Sequence, residues 1–272
     1  MKSKFTLCMT YKGCPNSTYE QVELEYFTFP GGELQPKFKS KHPIKTVWIN
    51  AYIFDAAGIV MLMLLKDILD REDINKIGLH IHYMPYARQD RICNPGEAFG
   101  LKVVSNLIND LNFDSVIVSD PHSDVTPALL DKCVVDSQVD CFRDTLGKHK
   151  LTIEDFKDYA LIAPDAGASK KTLAMAKFLT HTGFIQAEKV RNVETGNITH
   201  TSVGGNVVGR DCLIVDDICD GGATFIALAK ALKFQDAKSI TLYVTHGIFS
   251  KGKQHLLDNG IDNIYCCYDW TE

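Results

Sequence analysis

Short apolar runs along the chain give way repeatedly to stretches in which apolar positions return every three or four residues. "KTVWINAYIF" (Lys45–Phe54) reads as a strand and "AGIVMLMLLKDILD" (Ala57–Asp70) as a helix. "KIGLHIHYM" (Lys76–Met84) is a second strand, followed by the loop Pro85–Ala98 and the helical pattern "FGLKVVSNLINDL" (Phe99–Leu111). "SVIVSD" (Ser115–Asp120) is a third strand. "YALIAPDAGASKKTLAMAKFL" (Tyr159–Leu179) again gives strand, loop and helix. So does "LIVDDICDGGATF" with the residues after it, where Ala223, Phe225, Ile226, Ala229, Leu232 and Phe234 fall on one predicted helix face. "SITLYVTHG" (Ser239–Gly247) is a further strand, and the turn-rich Ser202–Asp211 predicts a hairpin. Alternating β and α elements argue for an α/β fold, with mainly parallel sheets flanked by helices. The repetition predicts two similar domains, 1–147 and 148–272, with a seam near Lys148–Glu154.

Composition changes this picture little. The chain has 272 residues, 45% hydrophobic and 23% charged, with a formal net charge of −5. That is an ordinary globular composition, and it gives no bulk attraction to nucleic acid or to an anionic membrane. The most apolar stretch is interrupted at Lys66 and Asp67 after about ten residues, too short for a membrane span. The N-terminus lacks the sustained apolar core of a secretion signal. Nine cysteines without a CxxC spacing argue for reduced thiols in a cytoplasmic protein. No GxxxxGK[ST], HExxH or GxSxG motif is present, which disfavours P-loop nucleotide enzymes, zinc proteases and serine hydrolases.

The chemistry concentrates where "CLIV" runs into Asp216 and Asp217, followed by Asp220, Gly221, Gly222, Ala223 and Thr224. In open α/β sheets ligands bind at the carboxyl ends of strands. The glycines leave backbone N–H groups uncovered at a helix N-terminus, which suits a phosphate. Like charge keeps the two carboxylates off that phosphate. They suit sugar hydroxyls or Mg²⁺ instead. An acidic helix cap and turn is the plain alternative at this stage.

Four further segments decide between these readings: "PYARQDR" (Pro85–Arg91), "SDPHS" (Ser119–Ser123), "APDAGASKK" (Ala163–Lys171) and "EKVRN" (Glu188–Asn192). With "VDDICDGGAT" and "YVTHG", in this order, they resemble the ribose-phosphate pyrophosphokinases, from about Phe29 to His246. The resemblance implies two tandem phosphoribosyltransferase-like domains. It also implies Mg²⁺-dependent transfer of the β,γ-diphosphoryl group of ATP to the anomeric hydroxyl of ribose 5-phosphate. Arg88, Gln89 and Arg91 would contact ATP, with Phe29 and Glu33 reaching its base in a neighbouring subunit. His122 would hold Mg²⁺ and the ATP phosphates, and Asp165 would be the second metal ligand. Asp165, Ala166, Gly167, Ala168, Ser169 and Lys170 would form the diphosphate loop. Lys189 and Arg191 match the family's catalytic Lys-x-Arg pair. Asp216 and Asp217 would take the ribose diol, and Asp220–Thr224 the 5-phosphate.

The chain departs from the family pattern in three places. The phosphate turn has Gly221 and Ala223 where the family carries a Thr-Gly-Gly-Thr run, so a hydroxyl donor is lost and the turn is slimmer. That opens a second acceptor, ADP-ribose, whose ribose phosphate is substituted. Gly31 stands where the family often has an Asp that touches the ATP base. The chain is also shorter than usual, so the family's hexamer and regulatory site do not carry over. A homodimer or larger homo-oligomer is expected, and neither nucleic acid nor membrane is an expected partner. The rival readings are a phosphoribosyltransferase, which would need no ATP site, and a non-catalytic phosphoribosyl-diphosphate-binding homologue.

Overall fold

The computed structural model describes residues 3–11, 20–38, 40, 43–191 and 198–271. They divide into two compact units, Met1–Asp136 and Ser137–Glu272.

The first unit opens with strands β1 (Lys4–Tyr11) and β2 (Glu20–Glu23) and a small hairpin, β3 (Glu25–Thr28) with β4 (Leu34–Lys37). Then come β5 (Ile44–Tyr52), α1 (Ala56–Asp70), β6 (Lys76–Ile81), α2 (Gly100–Asp110), β7 (Ser115–Ser119), α3 (Val125–Leu129) and β8 (Cys133–Asp136). The sheet order is β2-β1-β5-β6-β7-β8. β5 to β8 run parallel, while β1 is antiparallel to β5. Strand alternation places Phe5, Leu7 and Met9 of β1 in the core beside Val47 and Ile49 of β5. Met61, Leu62, Leu65 and Leu69 of α1 and Leu101, Val104 and Ile108 of α2 complete it at helical spacing. Helix α1 starts because Asp55 caps it, its carboxylate accepting the Gly58 N–H at 2.8 Å.

The second unit comprises α4 (Gln138–His149), β9 (Ala160–Ala163), α5 (Ser169–Phe178), β10 (Ile185–Arg191), β11 (Ile198–Val203), β12 (Asp211–Cys219), α6 (Ala223–Phe234), β13 (Ser239–Gly247), α7 (Lys253–Leu257) and β14 (Asn263–Asp269). Its sheet order is β11-β10-β9-β12-β13-β14, parallel except for the β10–β11 hairpin. Alternate residues of the inner strands feed two separate cores. Ile162, Ile214 and Leu242 pack with Phe225, Leu228 and Leu232 of α6. Leu161, Leu213, Val215 and Tyr243 pack with Phe142 and Leu146 of α4 and Met175 of α5. Burial on both faces is why these strands read as continuous apolar runs.

Three expectations change here. The units divide at 136/137 rather than 147/148, because α4 covers one face of the second sheet through Phe142, whose ring meets Tyr243 edge-on at 4.7 Å. Ser202–Asp211 is not a hairpin. The hairpin is β10–β11, and 204–210 carries the chain from β11 to β12, which pairs with β9 and β13. Phe234 lies off the buried face of α6, 90% exposed, two residues beyond Leu232.

Candidate functional site

In the second unit the chemistry gathers where β9 and β12 end. The two strands are parallel neighbours, with Ile214 opposite Ile162, so the residues after each emerge at one edge of the sheet. After β9, Asp165 caps the next turn by accepting the Ala168 N–H at 3.3 Å, and α5 begins at Ser169. Ala166 and Gly167 are exposed at this helix start, as is Lys170. Toward the end of β12, Asp216 and Asp217 are adjacent, and the Asp217 N–H donates to the Asp216 carboxylate at 2.9 Å. Burial and the Asp217 charge push the Asp216 carboxyl well above the usual range, and Asp165 adds to the same effect. Three carboxylates, two at the end of β12 and one in the loop after β9, thus share one field. Asp217 is itself buried and paired with Lys171 of α5 at 3.4 Å. Lys171 was not among the residues expected from the sequence. Its place one turn into α5 puts it beside Asp217, which only the sheet order reveals.

The phosphate turn follows directly. Gly222 has φ +76°, a left-handed conformation that suits glycine, and a side chain there would collide with Leu256 of α7. Helix α6 starts at Ala223 with no side-chain cap, so its first N–H groups face the turn formed by Asp220, Gly221 and Gly222, with Thr224 beside them. Cys219, just before this turn, is buried near Asp216 and Asp220, and its thiol is pushed up to about 12. That favours the protonated thiol at neutral pH.

In the first unit, β6 and β7 end in the loops that carry Arg88, Gln89, Arg91 and His122. Both loops contain a non-glycine residue with positive φ, Tyr86 at 61° and Asp120 at 39°. Such backbone persists only where the surroundings hold it. For β7 the holding contacts are the Asp120 N–H donated to the Asp136 carbonyl at 2.7 Å and His80, whose Nε2 lies 2.8 Å from the Ser119 hydroxyl. Asp90 joins the two loops. It is buried, and the Arg91 guanidinium, the nearby Ser123 hydroxyl and the His122 ring hold its carboxyl below the usual carboxylate range. Arg91 is engaged by Asp90 through two contacts of 2.9 and 3.3 Å while most of its side chain stays exposed. Arg88 and Gln89 line an open cleft of about 560 Å³ together with Phe54, Asp55, Tyr83 and Tyr86. The sequence did not single out the Phe54–Asp55 wall, which follows β5 and reaches the cleft because β5 and β6 are adjacent.

Phe29 and Glu33 stand apart from this cleft, at the tip of the β3–β4 hairpin. The Phe29 N–H donates to the Glu33 carbonyl at 2.8 Å, and Phe29 is 46% exposed against Phe27. The Glu33 carboxylate folds back over Gly31, within 2.6 Å of where a side chain would begin. An Asp at that position would have to displace it. Lys189 and Arg191 have their backbones in β10, Lys189 opposite Thr201, but their side chains lie outside the described residues, as do 192–197. Among the described residues no cluster of three or more His, Cys, Asp or Glu side chains is placed to hold a metal alone. His122 in the first unit and Asp165 in the second are each, taken singly, the kind of donor that suits an ion such as Mg²⁺, which keeps most of its shell for phosphates and water.

Residues 144–270 match the model of the phosphoribosyl transferase domain family. A ribose-phosphate pyrophosphokinase of Hyphomonas neptunium is 31% identical over 71% of the chain. A second, from Thermococcus kodakarensis, is 27% identical over 92% of the chain and 86% of its own length. The chain belongs to the ribose-phosphate pyrophosphokinase family. It spans 61% of the length of the Hyphomonas relative. The crystal structure of the Mycobacterium smegmatis phosphoribosylpyrophosphate synthetase superposes with a TM-score of 0.72 at 22% identity, over 89% of this chain and 78% of that one. That likeness is one of fold: two tandem phosphoribosyltransferase-like units, each a mainly parallel sheet flanked by helices. Against the family pattern, this chain keeps the paired acids Asp216 and Asp217 and has Gly221 and Ala223 in the turn that follows them.

Proposed function

We propose that the protein transfers the β,γ-diphosphoryl group of ATP to the anomeric hydroxyl of ribose 5-phosphate, giving phosphoribosyl diphosphate and AMP. The observation that carries this reading is the arginine-lined cleft of the first unit. The second unit alone holds the diol acids, the phosphate turn and the diphosphate loop that a phosphoribosyltransferase would need. A second substrate site, with Arg88 and Gln89 in its wall and His122 on the adjoining loop, calls for a second, phosphate-rich substrate.

The roles follow from the chemistry. Asp216 and Asp217 accept the ribose 2- and 3-hydroxyls, and Gly221–Thr224 seat the 5-phosphate on backbone N–H groups. Asp165–Lys170 receive the diphosphate as it arrives at C1. His122 and Asp165 would hold Mg²⁺, which would supply charge neutralisation of the phosphate oxygens. The C1 hydroxyl oxygen forms its bond to the β-phosphorus and gives up its proton to water, as the bond from that phosphorus to the α,β-bridging oxygen breaks and AMP takes the electron pair. Lys189 and Arg191 are the cations that balance charge as it moves onto AMP. The exposed Phe29 is the side chain offered to an adenine base from a second copy of the chain.

A second acceptor is favoured by one observation. The turn has Gly221 and Ala223 where the family pattern carries hydroxyl-bearing residues, which makes it slimmer, and ADP-ribose carries a substituted phosphate at that position. Incubation with Mg·ATP and each acceptor, followed by chromatography of the nucleotides, tests the proposal. AMP with ribose 5-phosphate supports the first acceptor, and AMP only with ADP-ribose supports the second. ADP as the product would end the diphosphokinase reading, and no turnover with either acceptor would favour a binding homologue.

A further inference from the structure

The phosphate turn has a neighbour that the motifs do not include. Residues 248–252 link β13 to α7, and the link is pinned beneath the turn. Phe249 is buried, and its N–H donates to the Cys219 carbonyl at 3.0 Å, immediately before Asp220. The Gly252 N–H donates to the Phe249 carbonyl at 2.7 Å, and Leu256 of α7 packs against Gly222. This anchoring carries Ser250 and Lys251 over Gly221. From the point where a Gly221 side chain would begin, Lys251 Cε lies 3.7 Å away and the Ser250 hydroxyl 3.8 Å.

The other cations nearby are engaged. Lys253 pairs with Asp269 and lies over the Phe249 ring, and Lys171 pairs with Asp217. Lys251 is exposed and forms no ion pair among the described residues. A phosphate in this turn sits in a field made negative by Asp165, Asp216, Asp217 and Asp220. Backbone N–H groups and the helix start offset part of that repulsion. Gly221 and Ala223 contribute no hydroxyl. A lysine and a serine held at the rim by the adjacent link supply both missing elements, charge and hydroxyl.

We infer that Lys251, with Ser250 beside it, binds the phosphate on the C5 oxygen of the ribose acceptor. This rests on the acceptor reading proposed above and deepens it. The contact belongs to this chain's own β13–α7 link. It is distinct from the diol acids, which hold the sugar, and from Lys189 and Arg191, which are assigned to the transferred group.

The test measures steady-state kinetics for Lys251→Met, Lys251→Arg and Ser250→Ala with ribose 5-phosphate and with ADP-ribose. Calorimetric binding of each acceptor and a melting curve accompany every variant. Lys251→Met removes the charge and keeps the stem. It is expected to raise the acceptor KM and Kd about tenfold, the size of one charge-assisted hydrogen bond, with kcat and the ATP KM little changed. Lys251→Arg restores most of the loss, and Ser250→Ala shows a smaller loss of the same kind. The acceptor that shows the loss is the one whose phosphate is seated at the rim. An unchanged acceptor Kd in a folded Lys251→Met protein would overturn the inference. Failure of the unaltered protein to bind either acceptor would instead overturn the acceptor reading on which it rests.

Discussion

Asp216 carries a cost that its proposed role, binding the ribose diol, explains. Its carboxyl is pushed up by burial and by Asp217, so the folded chain favours the protonated form more than the unfolded chain does. A folded pKa above the unfolded one contributes stability that is full below the unfolded value, about 3.9, and is lost as pH rises through the folded value. At neutral pH the free protein therefore bears a penalty. Asp216→Asn should raise the melting temperature by a few degrees at pH 8, with the gain fading toward pH 4, while acceptor binding weakens. Melting curves across that pH range check it, and a variant less stable at pH 8 would show that the carboxylate is well compensated. In the proposed reaction Lys189 serves the chemistry. Lys189→Ala should slow turnover by roughly 10²–10⁵-fold, as for other transition-state cations, with melting unchanged. A rate equal to that of the unaltered protein would remove it from the mechanism.

The turn between β12 and α6 shows how an element is fixed by what packs beneath it. Gly222 combines a positive φ with close approach of Leu256. Gly222→Ala should destabilise the fold by about 1–3 kcal/mol and raise the acceptor KM. Denaturant unfolding and kinetics check both, and a silent substitution would mean that α7 yields easily. The same turn was legible in the sequence, because its apolar strand, acids, glycines and helix are consecutive residues. So were β5 with α1 and β6 with α2. Strand β1 was passed over because only alternate residues, Phe5, Leu7 and Met9, are buried, which leaves no continuous apolar run. Helix α4 was missed for a different reason. Its polar sequence gains its place from Phe142 meeting Phe156 and Tyr243, the latter a hundred residues further on. Lys171 closes the APDAGASKK segment but has no role in it, and Lys251 lies outside every segment; each meets its site through sheet neighbours.

Within the whole chain the two units repeat one plan, a parallel sheet with an antiparallel edge, yet they carry different loops at their strand ends. The first unit has Arg88, Gln89 and His122 there, and the second has the acids and the glycine turn before α6. That division of labour matches a reaction with one triphosphate donor and one sugar-phosphate acceptor. No helix among the described residues is long and apolar enough to cross a membrane. In the proposed reaction two phosphoryl groups move together. ATP labelled at the β-phosphorus, incubated with Mg²⁺, the protein and the acceptor it uses, tests this directly. All transferred label should appear in the sugar product, one label for each AMP formed. Label remaining in ADP, or released as inorganic phosphate or diphosphate without a labelled sugar, would contradict it.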